Sequence, residues 1–136
     1  MKEKIMGVGM PADLLLQEFA SQVWAAFGDV PYLVGSALEG KQWRDVDVRL
    51  ILSDEEYERL GLGDPKYPNS NEKWVSLVLA YSALGKAMTG LPIDFQIQQQ
   101  SYANEHFGSS AKPGGRSALG YTPLRLRRYP IEEQEK

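Results

Sequence analysis

The sequence predicts an α/β (α+β) fold: a small mixed sheet of three or more strands packed on helices. Two segments, 45–52 and 93–98, alternate aliphatic and polar residues with a period of two, the mark of strands with one buried face. Two longer segments, 13–27 and 71–89, repeat apolar residues at three- and four-residue spacing and end at glycine. Helical and strand patterns therefore interleave along the chain, as they must when helices cover a sheet.

Taken in order, residues 1–12 read as an N-terminal arm, with Gly7-Val8-Gly9 a loop because no strand precedes it. Pro11 and Asp13 are helix-start residues, and Leu15, Leu16, Phe19, Val23, Trp24 and Phe27 form a wide apolar face that Gly28 stops. Tyr32, Leu33 and Val34 make a short strand that runs into Gly35-Ser36. After a polar loop, Asp45 and Asp47 open a second strand. Side chains at i and i+2 share a strand face, so the two aspartates project together while Val46, Val48, Leu50 and Leu52 point into a core.

Ser53-Asp54-Glu55-Glu56 reads as a capping box that starts a short helix ending at Gly61, which assigns these acids a structural role. Residues 61–70, with two prolines and two glycines, read as loop. Trp74, Val75, Val78, Leu79, Tyr81, Leu84 and Met88 mark the apolar faces of the second long helix, which Gly90-Leu91-Pro92 closes. Ile93, Phe95 and Ile97 then face one way and Asp94, Gln96 and Gln98 the other. If both strands share a sheet, Asp45, Asp47 and Asp94 converge on its open face. Residues 104–108 and the glycine-rich 109–120 read as loop, and 131–136 as a frayed acidic end.

A chain of 136 residues, 43% apolar and 24% charged, fits one domain with one core. Residues 13–98 hold the core, and 99–136 form a C-terminal extension that can belong to the same domain. The net charge of −3 points to no particular partner, although Lys112, Arg116, Arg125, Arg127 and Arg128 form an acid-free basic run suited to phosphate or RNA. Absence of cysteine and a single histidine, His106, exclude disulfides, thiolate sites and multi-histidine zinc. No apolar run approaches a membrane span of ~18 residues, and no signal-peptide core is present, so a cytoplasmic protein is expected.

Two carboxylates held together repel unless a cation separates them, and a hard divalent ion that retains sites for phosphate oxygens suits them. Gly35-Ser36, eight residues, then Asp45-Val46-Asp47, with Asp94 on a later strand, resembles the signature of the nucleotidyltransferase (DNA polymerase beta-like) superfamily over roughly residues 13 to 98. The resemblance implies transfer of a nucleoside monophosphate from a nucleoside triphosphate to an acceptor hydroxyl by two Mg2+ (or Mn2+) ions. In it, Asp45, Asp47 and Asp94 are the catalytic metal ligands, and Gly35 and Ser36 hold the triphosphate. Ala37-Leu38 follow where many minimal members carry an arginine, which leaves Lys41 and Arg44 or the tail arginines to bind the nucleotide. The chain is short for a polymerase and is similar to stand-alone minimal members that modify a small molecule, a protein or an RNA end. The alternative is a non-catalytic binding or regulatory subunit of the same fold, such as a toxin–antitoxin component. A sugar transferase using Asp-x-Asp needs a longer chain. The aromatic-rich helices permit a homodimer or a partner subunit without indicating either.

Overall fold

The computed structural model describes residues 8–35, 37, 45–107 and 116–120. Helix α1 spans Ala12–Phe27 and strand β1 Pro31–Val34; β2 spans Val46–Leu52, and helix α2 follows at Asp54–Arg59. A 3-10 turn at Pro68–Ser70 leads into helix α3 at Glu72–Thr89. Strand β3 (Ile93–Gln99) runs directly into helix α4 (Gln100–His106), and β4 is the two-residue strand Ser117–Ala118. The α/β class holds: a four-stranded mixed sheet of order β3-β2-β1-β4 is packed with helices.

Strand β1 pairs antiparallel with β2 and with β4, while β2 and β3 run parallel with Asp47 opposite Asp94. Parity does the rest. Val46, Val48, Leu50 and Leu52 of β2 and Ile93, Phe95 and Ile97 of β3 are buried on one face, with Leu33 of β1 beside them. Leu16, Phe19 and Val23 of α1 cover that face, and the Phe19 and Tyr81 rings close on Phe95 at centroid distances of 6.3 and 5.4 Å. Burial of each such side chain contributes about 1.5–3 kcal/mol. Gly85 permits the close approach, since a Cβ there would lie 3.0 Å from both Phe19 and Ile93.

Helix α3 also serves the outer edge of β3, whose backbone groups would otherwise lack partners. Ser82 Oγ accepts from the Phe95 N–H at 2.9 Å, and Trp74 Nε1 donates to the Ile97 carbonyl at 2.8 Å. The Asn71 side chain caps α3 by accepting from the Trp74 N–H at 2.8 Å, and it donates to the Gly61 carbonyl at 3.1 Å.

Several expectations are corrected. Leu15, Leu79 and Leu84 are 42%, 64% and 39% exposed, so the apolar stripes of both long helices are wider than the faces they bury. Ser53 does cap α2, accepting from the Glu56 N–H at 3.1 Å, but the Glu56 carboxylate pairs with Arg59 instead of closing a capping box. Residues 61–70 include the 3-10 turn, and residues 104–106, expected as loop, are the end of α4. Asp54 binds the Ser101 N–H and hydroxyl at the first turn of that helix. Residues 117–118, also expected as loop, form β4, and Leu119 next to it is fully buried in the core. Gly120 lies against α1, its carbonyl accepting from Ser21 Oγ at 3.1 Å and its N–H donating to Gln17 Oε1. Part of the C-terminal extension thus completes the sheet, and Val8 of the arm is buried in the same core. No helix among the described residues is long and apolar enough to cross a membrane.

Phe95→Ala should lower unfolding free energy by about 3–5 kcal/mol because its ring is enclosed by two helices. Trp74→Phe should lose about 1 kcal/mol, the net value of one hydrogen bond. Urea unfolding of both variants checks the ranking, and equal losses would contradict it.

Candidate metal centre

The site is a product of strand parity. Asp47 sits on β2 and Asp94 directly across from it on β3, so both carboxylates leave the sheet on the face opposite the core. Asp45 precedes β2 by one residue rather than opening it, and is exposed, yet its carboxylate joins the other two. One oxygen from each of Asp45, Asp47 and Asp94 lies within 4.8 Å of the others. A set of three carboxylates offers hard oxygen donors and excess negative charge, the donor chemistry that Mg2+ or Mn2+ takes.

Gly35 ends β1 with φ +79°, a left-handed conformation that favours glycine. A Cβ at that position would overlap the Asp47 carboxylate. The Gly35 backbone therefore abuts the face that carries the three aspartates. Ser36, Lys41 and Arg44, the remaining nucleotide-binding candidates, lie outside the described residues. Of the basic run, only Arg116 is described; it donates to Asn104 Oδ1 on α4 at 3.0 Å. His106 is exposed, stacked near Tyr102 with ring centroids 4.1 Å apart.

Arg49 is the residue that the sequence reading passed over. It stands two residues after Asp47, hence on the same strand face. Its Nη2 lies 3.8 Å from Asp47 Oδ1 and 3.5 Å from Asp94 Oδ2. Its Nη1 donates to the Asp94 carbonyl at 2.6 Å and to the Val48 carbonyl at 3.2 Å. These bonds fix the guanidinium between the two carboxylates and offset their repulsion. Gln96, the next residue on that face of β3, donates from Nε2 to Asp94 Oδ1 at 3.4 Å.

Burial raises the Asp47 pKa above the ordinary carboxylate value; Arg49 opposes the shift, and Asp94 and Asp45 reinforce it. Asp54, by contrast, is held below its usual value by the hydrogen bonds from Ser101. Comparison with family models, with curated proteins and with solved structures finds no match.

A raised native pKa means that Asp47 costs stability once both states are ionised. That cost is absent below the ordinary carboxylate value near 3.8 and is reached in full as pH rises through the native value. Asp47→Asn should therefore melt higher than wild type at pH 7 in EDTA, with the advantage fading towards pH 4. A variant less stable at pH 7 would show that the Arg49 pair outweighs burial. Gly35→Ala should lose about 1–3 kcal/mol from strain and from displacing Asp47; a thermal midpoint equal to wild type would refute the contact.

Proposed function

We propose that the chain is a metal-dependent nucleotidyltransferase that moves a nucleoside monophosphate from a nucleoside triphosphate to an acceptor hydroxyl. The observation that supports this most is the convergence of Asp45, Asp47 and Asp94 on one open face, with the Gly35 backbone beside Asp47. The order of the Gly-Ser pair, Asp-x-Asp and the third aspartate, on which the family resemblance rests, fits the same reading. The proposal includes a cytoplasmic setting, where triphosphates and Mg2+ are at hand.

On this reading Asp45, Asp47 and Asp94 would hold two Mg2+ or Mn2+ ions, which when bound stabilise charge on the attacking and leaving oxygens. Gly35, having no Cβ, leaves room for the Asp47 carboxylate beside its backbone, where the triphosphate would lie. The acceptor oxygen attacks the α-phosphorus, the bond to pyrophosphate breaks, and Asp94 takes the hydroxyl proton. Asp94 is the better placed of the strand carboxylates, being the more exposed at 39% of its side chain against 22% for Asp47. No covalent protein nucleophile is needed, and the chain has no cysteine.

Arg49 favours a second reading. Its guanidinium already supplies positive charge to Asp47 and Asp94, as suits a non-catalytic binding subunit that keeps the carboxylates without a metal.

The four α-labelled nucleoside triphosphates, incubated with Mg2+ or Mn2+ and cell extract as acceptor source, separate the two. Transferase activity predicts label transfer that falls at least about a thousandfold in Asp45→Asn/Asp47→Asn, the loss of several kcal/mol of metal stabilisation. Triphosphate binding without transfer, unchanged when both ions are removed by EDTA, would support the binding subunit, and no triphosphate binding with or without either ion would remove both.

A further inference from the structure

A second recess lies farther along β3, where no metal ligand stands. It has a volume of about 210 Å3 and is formed by β3, α2, α4, the start of α3 and the 65–68 segment. That is below the roughly 300–1,000 Å3 of sites for drug-sized ligands, so it suits one ring system rather than a whole nucleotide. Its walls combine flat and amide surfaces. Tyr57, Tyr102 and Phe107 contribute rings, with the Tyr102 and Phe107 centroids 6.0 Å apart. Gln98 and Gln99, at the end of β3, line it as well.

The polar groups here await partners. Tyr57 is 2% exposed, yet its hydroxyl makes no hydrogen bond among the described residues. A buried hydroxyl without a partner has lost its water and gained nothing in return, so an occupant that bonds to it removes that cost. Burial, with help from Asp64, raises the Tyr57 pKa, which keeps the hydroxyl a donor at neutral pH. The Gln98 and Gln99 side chains are half-buried and make no hydrogen bond among the described residues, and each amide offers both donor and acceptor.

We propose that this recess binds a planar heteroaromatic ring of the nucleobase class, stacked on Tyr102 or Phe107 and read by Tyr57, Gln98 and Gln99. Base stacking on aromatic side chains tolerates any base, whereas an amide or hydroxyl that meets the ring edge discriminates among bases. Gln96 joins the recess to the metal centre, since it lines the one and donates to Asp94 in the other. Gly35, where the triphosphate would lie, directly follows β1, and β2 stands between β1 and the β3 strand that lines the recess. The ring bound here therefore belongs to the acceptor, a nucleoside or a nucleic-acid end; this last step rests on the transferase reading, and ring binding does not.

Titration of the full chain with adenosine, guanosine, cytidine and uridine in EDTA tests the recess by itself, because these probes carry no phosphate and no metal is present. At least one nucleoside should shift the Gln98 and Gln99 side-chain amide resonances saturably. Phe107→Ala, at a ring already 58% exposed and therefore harmless to folding, should weaken that binding about tenfold. Tyr57→Phe, which deletes only the hydroxyl, should weaken it several-fold. Absence of any shift with all four nucleosides, or binding indifferent to both substitutions, would overturn the inference. Nucleoside binding in EDTA by a protein that shows no label transfer would uphold the ring site and remove only its assignment to an acceptor.

Discussion

The parallel pairing of β2 with β3 in one register is the constraint on which the rest of this structure depends. Asp47 faces Asp94 only because Val46 pairs with Ile93, and a slip of one residue would turn every side chain of one strand to the other face. The aliphatic residues that enforce that register are the ones that alternate with the aspartates. Core and carboxylate site are thus two faces of a single register, and a slip of that register would lose both. Parallel strands also need a long crossover, here supplied by α2, the 3-10 turn and α3. The crossover brings Tyr57 and Trp74 to the far end of β3, so the second recess is a by-product of the connection that makes the first site.

Charge at the open face is balanced from within. Three carboxylates within 4.8 Å would oppose folding, and Arg49 reduces that opposition by bonding to backbone carbonyls and lying between two of them. The arginine makes the site stable enough to exist and at the same time competes for the carboxylates with any cation that arrives. Any affinity of this face for a divalent ion would therefore depend on how readily the guanidinium yields as well as on the donor set.

Much of this was legible from residue spacing. Both strand periods, both long helices and their stopping glycines, and the convergence of Asp45, Asp47 and Asp94 follow from periodicities of 2 and 3.6 applied to particular residues. What escaped did so for physical reasons. Helix α4 begins in Gln98-Gln99-Gln100-Ser101, which carries no apolar period, and its start depends on Asp54, 47 positions earlier. Strand β4 has two residues, and only the β1 edge and Leu119 burial make it a strand. Leu79 and Leu84 obey helical spacing but exceed the width of the face that the sheet can cover. Arg49 obeyed the same i+2 rule that placed the aspartates, and was missed because attention to like charges left the opposite charge on their own face unread.

The clasp between α1 and Gly120 has a kinetic meaning. Its two hydrogen bonds join residues 99 and 103 positions apart, the greatest separations among the described side-chain bonds. Contacts so distant along the chain carry a high loop-closure entropy and form late. The β1–β2 hairpin and the helix-capping turns can assemble first, while β4 docks onto an already formed β1. Amide exchange should reflect the same hierarchy in the native protein, with Leu119 and Gly120 opening locally long before the β2–β3 ladder yields.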